Sequence, residues 1–161
     1  MHLKKLRLIN FRRFSGDHPV EFNRNLTVFA ANNGAGKTSI LDAIALALGP
    51  FLTKFPRISG NAPVDSDVSF NRDKDQPFAL IGAEAYRNDE CARASLDTCW
   101  DRIKRLSPSA AAIRSVQNKL LEMGYEVKGL TDIHWIATDL LEDINRDVTF
   151  PVLAYYGTGR A

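Results

Sequence analysis

The sequence predicts an α/β fold organised around one glycine-rich loop, and three adjacent features carry that prediction. Leu26-Thr-Val-Phe-Ala30 is a short apolar, β-branched run that reads as a buried strand. Ala31-Asn-Asn-Gly-Ala-Gly-Lys-Thr-Ser39 follows, rich in small residues and ending in Gly-Lys-Thr. Ile40, Leu41, Ile44, Ala45 and Leu48 then repeat at helical spacing. Strand, glycine loop and helix in that order are the context of a phosphate-binding loop.

The other elements follow from local pattern. Leu3 to Asn10 alternates, with Leu6, Leu8 and Asn10 on one side and Lys5, Arg7 and Ile9 on the other, as in a half-buried strand. Ser15-Gly-Asp-His-Pro19 predicts a turn, Val20-Glu-Phe22 a second strand, and Asn23-Arg-Asn25 another turn. The loop helix is expected to stop at Gly49-Pro50. From 51 to 77 the composition shifts to Pro, Ser, Asn and Asp, which predicts a long loop. Phe78 to Tyr86 reads as a strand. Ala94 to Lys104 fits two templates: Leu96, Thr98, Trp100 and Arg102 alternate, while Ala92, Leu96, Cys99, Ile103 and Leu106 fall on a helix face. The alternation is favoured, making a hairpin with Phe78–Tyr86. Ser109 to Met123 is an amphipathic helix with Ser107 or Ser109 as cap and Gly124 as stop. A second helix is expected near Asp132 to Asn145, turning Ile133, Ile136, Ala137, Leu140, Leu141 and Ile144 inward. Phe150 to Tyr156 reads as a last strand, followed by Gly157-Thr-Gly-Arg160.

The loop's chemistry is specific. Small residues let successive backbone N–H groups of Asn32, Asn33, Gly34, Ala35 and Gly36 turn inward as an anion nest. The following helix aims the positive end of its dipole into that nest. Lys37 is the candidate catalytic cation, long enough to reach the β- and γ-phosphates of a nucleotide. Thr38 offers the hydroxyl that would hold Mg²⁺, and Ser39 a further hydrogen bond to phosphate. The full pattern G-x-x-x-x-G-K-[ST] has glycine where Ala31 stands, so Ala31 requires a negative φ or a slightly wider turn.

Composition excludes little. The 161 residues suit one domain, and 45% hydrophobic with 25% charged residues is ordinary for a globular chain. The net charge of +2 sets up no strong global field for nucleic acid. Lys4, Lys5, Arg7, Arg12 and Arg13 do crowd the first strand and its exit, either as a nucleic-acid contact or as a solvated edge. No apolar run approaches the roughly 20 residues that span a bilayer. The first residues alternate charge and hydrophobe, unlike a secretory signal. Cys91 and Cys99 lack metal-like spacing and suit a reducing, cytoplasmic setting.

Leu6-x-Leu-x-Asn-Phe-Arg-Arg-Phe14, the strand containing Phe22, and Asn25-Leu-Thr-Val through Asn33-Gly-Ala-Gly-Lys-Thr-Ser-Ile-Leu-Asp-Ala-Ile44 together resemble the N-terminal lobe of SMC/RecF-like, ABC-type ATPase heads. Pro151-Val-Leu-Ala-Tyr-Tyr-Gly-Thr-Gly-Arg160 also resembles the ATPases of the PtuA-like group of anti-phage systems. The resemblance implies a P-loop NTPase lobe, incomplete by itself, with a mixed sheet around the loop helix. It implies ATP and Mg²⁺ as ligands, with the nucleotide held between two heads. A second copy or a second ATPase lobe is the implied partner, with DNA or a partner nuclease as what the head serves. It places adenine and ribose near Phe11–Phe14 and brings Arg12 or Arg13 close to phosphate.

What such a head also needs is missing. Its second acidic motif is four apolar residues, then Asp, then Glu as base; without a positioned base, transfer of phosphate to water stays slow. Ile133-His-Trp-Ile-Ala-Thr-Asp139 is the nearest run, but His134 and Thr138 interrupt it and it reads as a helix. No Leu-Ser-Gly-Gly-Gln-like signature or switch histidine is present; His2, His18 and His134 are misplaced for one. The chain is thus expected to be a first lobe of a larger ATPase, as a fragment, a truncated frame or a split subunit. Two alternatives stand beside it: a degenerate, non-hydrolysing interaction module, and a small self-sufficient kinase or hydrolase. Arg160 is either a γ-phosphate contact or part of an ordinary Gly-rich turn.

Overall fold

The computed structural model describes residues 2–69, 77–87 and 96–142. Four strands form one sheet: β1 (His2–Phe11), β2 (Phe14–Glu21), β3 (Phe78–Arg87) and β4 (Leu96–Arg105), in spatial order β2-β1-β3-β4. Every pairing within it is antiparallel. The expected α/β lobe is therefore present, with an antiparallel sheet among the described residues. The hairpin of β3 and β4 pairs Ala83 with Trp100 and Phe78 with Arg105, so alternation decided the ambiguous segment.

From Leu8 to Phe11 β1 is buried on both faces of the sheet, while His2–Lys5 and Arg7 stay half-buried. Leu6 and Leu8 enter one core with Ala79, Ile81 and Trp100, while Ile9 enters a second with Leu80, Val116 and Leu120. The first core lies beneath α1 (Lys37–Leu52) and α3 (Thr131–Glu142); the second is closed by α2 (Ala110–Glu122). The two later helices form where their patterns predict; the expected continuation of the second from 143 to 145, with Ile144, lies outside the described residues. Ser109 caps α2 by accepting from the Ala112 N–H, and Gly124 takes φ 70° at its end.

Three expectations are corrected. Ser15 to Pro19 is not a turn but part of β2; Arg12 and Arg13 make the tight connection, and Phe11 faces Phe14. Pro19 is tolerated because β2 is an edge strand. The loop helix does not stop at Gly49-Pro50 but continues to Leu52, since Phe51 is buried and Thr53 closes the end on the Gly49 carbonyl. Its buried residues are Ala43, Leu46, Ala47, Leu48, Gly49, Pro50 and Phe51, while Leu41 is 42% exposed. A helix apolar nearly all round lets the sheet choose the face, and small Ala43 and Ala47 allow close approach. Trp100 reaches across to donate its indole N–H to the Ala47 carbonyl at 2.8 Å.

The third correction is Leu26–Ala30, which forms no strand among the described residues. Leu26 and Val28 are 71% and 75% exposed. Phe29 meets Phe22 edge to face, and Thr27 Oγ1 accepts from the Asn23 N–H. A strand is defined by its neighbours, and no described strand lies alongside this run. The long segment from 53 is partly organised: a 3₁₀ turn at Asp65–Asp67 leads into a single bridge from Val68 to Phe11. The strand expected at Phe150–Tyr156, the Gly157–Arg160 loop and Cys91 lie outside the described residues.

Candidate functional site

The glycine loop opens onto the N-terminus of α1. Helix α1 begins at Lys37 with Gly36 as N-cap at φ 100°, and Gly34 sits at φ 78°. These left-handed conformations are open to glycine and strained for other residues. Ala35 donates to the Asn32 carbonyl at 3.1 Å, closing the turn inside the loop. Ala31 is not among the residues with positive φ, so its side chain sits where glycine would otherwise be usual without backbone strain. No side chain caps α1, and its first turn carries no acidic residue, so its terminal N–H groups are left without a side-chain partner there, as an anion site requires.

Lys37 folds back over the loop. Its ammonium donates to the carbonyl oxygens of Ala31 and, at 2.9 Å, Asn32. That places a cation across the mouth of the nest, bracing the loop from within. Asn32, Asn33, Gly34, Ala35 and Thr38 are exposed, and Lys37 and Ser39 half-buried. The loop is thus accessible along its length.

Arg13 and Phe14, at the connection of β1 to β2, pack directly on this loop. A Cβ added to Gly36 would lie 2.8 Å from the Phe14 ring and 2.9 Å from Arg13 Cδ; one added to Gly34 would lie 3.6 Å from Arg13 Nη1. Glycine at 36 is therefore required twice, by φ and by the aromatic ring against it. The spacing of the motif alone could not show the second reason. Its only sequence signal is that Phe14 belongs to the same Phe-Arg-Arg-Phe stretch singled out by resemblance.

The two arginines part company. Arg13 is exposed and has no carboxylate partner among the described residues. Arg12 turns the other way: its Nε donates to Asp67 Oδ1 at 2.8 Å and its Nη1 pairs with Asp42. Partial burial alone would lower the Arg12 pKa, but hydrogen bonds to Asp42 and Asp67 outweigh it and raise it above its ordinary value. The guanidinium is held fully charged.

The rest of the basic cluster is neutralised in the same manner. Lys4 pairs with Glu84 at 2.5 Å, Lys5 lies 3.8 Å from Glu21, and Arg7 grips Asp17 through Nε at 2.9 and 3.0 Å. The hydrogen bond from Arg7 holds the Asp17 carboxyl below its usual range. This part of the first strand is a paired edge rather than an open cationic surface. Arg7 also stacks on Tyr125, whose hydroxyl donates to Asp101 at 2.6 Å; the Lys128 N–H donates to the same carboxylate. These contacts line a shallow pocket of about 190 Å³ on the face of the sheet opposite α1.

The run Ile133–Asp139 lies within α3, as its pattern suggested, so Asp139 does not end a buried strand. His134 is half-buried in the first turns of that helix, and burial together with Lys54 and Arg102 lowers its pKa. No cluster of three or more His, Cys, Asp or Glu able to hold a metal occurs among the described residues, and no helix there is long and apolar enough to cross a membrane.

An AAA domain family model (AAA_23) matches residues 5–160. The chromosome partition protein Smc of Halothermothrix orenii is 28% identical over 77% of this chain and 11% of its own length. The retron Vc95 probable ATPase of Vibrio cholerae is 26% identical over 100% of this chain and 28% of its own. The DNA double-strand break repair Rad50 ATPase of Archaeoglobus fulgidus is 49% identical over 28% of this chain and 5% of its own. The chain thus spans a small part of each of these relatives. A solved structure from work on ATP-driven dimerization and DNA stimulated activation of SMC ATPases aligns over 78% of this chain and 81% of that one, at 17% identity and a TM-score of 0.43. With the family model covering nearly the whole sequence, the chain belongs to the AAA domain family.

Proposed function

We propose that this lobe binds Mg-ATP at Asn32–Ser39 and uses it to bring two heads together. The observation that carries the reading is the placement of Lys37 across a glycine nest that opens on the uncapped N-terminus of α1. The residues present fit the nucleotide's phosphates: backbone N–H groups of residues 33, 34, 36 and 37 would face an anion, that of Ala35 being turned to the Asn32 carbonyl, and Lys37 exchanges a carbonyl partner for phosphate oxygen. Thr38 supplies the magnesium ligand and Ser39 a further hydrogen bond. Mg²⁺, when bound with nucleotide, neutralises phosphate charge and bridges phosphate oxygens. Arg13, poised over Gly34 and Gly36, adds a second cation to the phosphate side. These residues bind and orient; the sequence carries no apolar run ending in Asp-Glu to activate water, so the lobe is a binding module whose hydrolysis requires groups outside it.

A second copy or another ATPase lobe is the partner this reading requires. Coupling to DNA draws support from the names of the Smc and Rad50 relatives, which act in chromosome partition and DNA double-strand break repair; a partner nuclease is the other role that the resemblance implies. The narrower placing among anti-phage ATPases of the PtuA-like kind rests on Pro151–Arg160 and on whole-chain similarity to a retron ATPase. A reducing cytoplasm suits all of these roles.

The test is calorimetric titration with ATP, with and without Mg²⁺, on the wild-type chain and Lys37→Ala, with released phosphate assayed in parallel. Removing the Lys37 contact is expected to cost about 3 kcal/mol, roughly a hundredfold in affinity. Mg²⁺-assisted binding without turnover is the expected result. Magnesium-independent binding would favour the non-hydrolysing interaction module, and turnover by the lobe alone would favour the self-sufficient enzyme.

A further inference from the structure

Arg12 does not lie over the loop beside Arg13; it joins three separate pieces of chain. Its backbone takes φ 51°, left-handed for a non-glycine residue, and its N–H donates to the Asp67 carbonyl at 2.7 Å. The Asp67 side chain is buried, accepts from Arg12 Nε through Oδ1, and accepts from the Val64 N–H through Oδ2 at 2.9 Å. Beside it, the Ser69 N–H donates to the Asn10 carbonyl at 2.7 Å, and Val68 bridges to Phe11. Residues 64–69 are thus fastened to the end of β1. Arg12 Nη1 then reaches Asp42 on α1.

Asp42 stands four residues after Thr38, one turn along the same helix face. That part of α1 is held by the core only through half-buried Ile40. The first buried residue of the helix is Ala43; Lys37 to Asp42 are half-buried or exposed. The described ion pair that reaches this first stretch runs through Arg12.

We propose that Arg12 is a positioning residue of the nucleotide site: it clamps the first turns of α1 to the end of β1 and to the 64–69 segment, and so fixes Lys37 and Thr38 without touching nucleotide. This rests on the P-loop reading above. The clamp needs a planar fork that serves two carboxylates at once, which lysine cannot supply, whereas lysine is an adequate direct partner for phosphate. A shift of about 1 Å in a group that contacts ligand is enough to cost up to ~100-fold, so a tether one turn away has leverage.

The experiment titrates Mg-ATP and Mg-ADP into the wild-type chain, R12A, R12K, D42N and the R12A/D42N pair, with melting curves and amide hydrogen exchange on each. Arg12→Ala and Asp42→Asn are each expected to weaken both nucleotides alike by roughly tenfold. The pair should be no worse than R12A alone, R12K should not rescue, and exchange at the Val64 and Ser69 amides should speed up. Restored affinity in R12K with D42N silent, or a loss confined to ATP over ADP, would overturn the proposal in favour of a direct phosphate contact. Should R12A fail to fold, R12K and D42N carry the same comparison. If even the wild type binds no nucleotide, the P-loop reading fails, and exchange still decides the clamp: faster exchange at Val64 and Ser69 in D42N supports it, and unchanged exchange refutes it.

Discussion

Gly36 shows how much one position can be asked to do. It caps α1, holds φ 100°, and leaves room for the Phe14 ring that a Cβ would meet at 2.8 Å. Gly36→Ala therefore combines backbone strain with a steric conflict, and about 2 kcal/mol of stability should be lost. Denaturant titration of Gly36→Ala and of Gly36→Ala/Phe14→Ala separates the two causes. The double variant should recover the steric part and keep the strain. Equal midpoints for wild type and Gly36→Ala would mean that the loop adapts freely. Ala31 makes the opposite point, since a non-glycine residue is accepted where φ is not positive.

At the scale of elements, β1 and β2 are held by more than their ladder. Arg7 and Asp17 sit diagonally across the strand pair, and their hydrogen bonds lower the Asp17 pKa from the usual 3.8. A carboxyl whose folded-state pKa is depressed contributes stability that is present above its unfolded value and lost as pH falls through the lower folded value. The affected window thus lies below about pH 4. Asp17→Asn should flatten the acid limb of the stability curve there and leave its slope near neutrality unchanged, as followed by urea midpoints between pH 2 and 6. An acid limb as steep as wild type would show that the pair contributes nothing. Asp101 runs the other way: burial raises its pKa, outweighing the bonds from Tyr125 and Lys128, so its contribution weakens as pH rises. The paired charges also bear on partners. With Lys4, Lys5, Arg7 and Arg12 each facing a carboxylate, Arg13 is what that basic cluster leaves beside Lys37 at the loop.

For the whole molecule, the described sheet and helices enclose two cores, yet Leu26 and Val28 stand out in solvent beside the phosphate loop. Exposed, extended, apolar backbone without a neighbouring strand is a template for association. The chain should associate with rising concentration, and Leu26→Ser/Val28→Ser should shift sedimentation profiles toward monomer without lowering the melting midpoint. A wild-type profile independent of concentration would show that the run is harmless. This surface adjoins the proposed nucleotide site, so association and nucleotide binding are best measured in the same preparations.

The sequence by itself determined the local grammar. Alternation in Leu3–Asn10 and in 96–104, the Ser109 cap with its Gly124 stop, and Gly-Lys-Thr at the head of a helix are short-range patterns. Each depends only on residues a few positions apart, which is why β1, β4, α2 and the start of α1 were legible. Tertiary structure alone decided the rest. It set which face of an all-round apolar helix meets the sheet, and drew Ser15–Pro19 into β2 as an edge strand. It also left Leu26–Ala30 unpaired. At the site, the letters Arg-Arg could not say that Arg13 lies over the loop while Arg12 turns to Asp42 and Asp67, 30 and 55 residues away. Partners that distant exist only once the chain has folded, because burial and charge pairing are settled between elements and not within them.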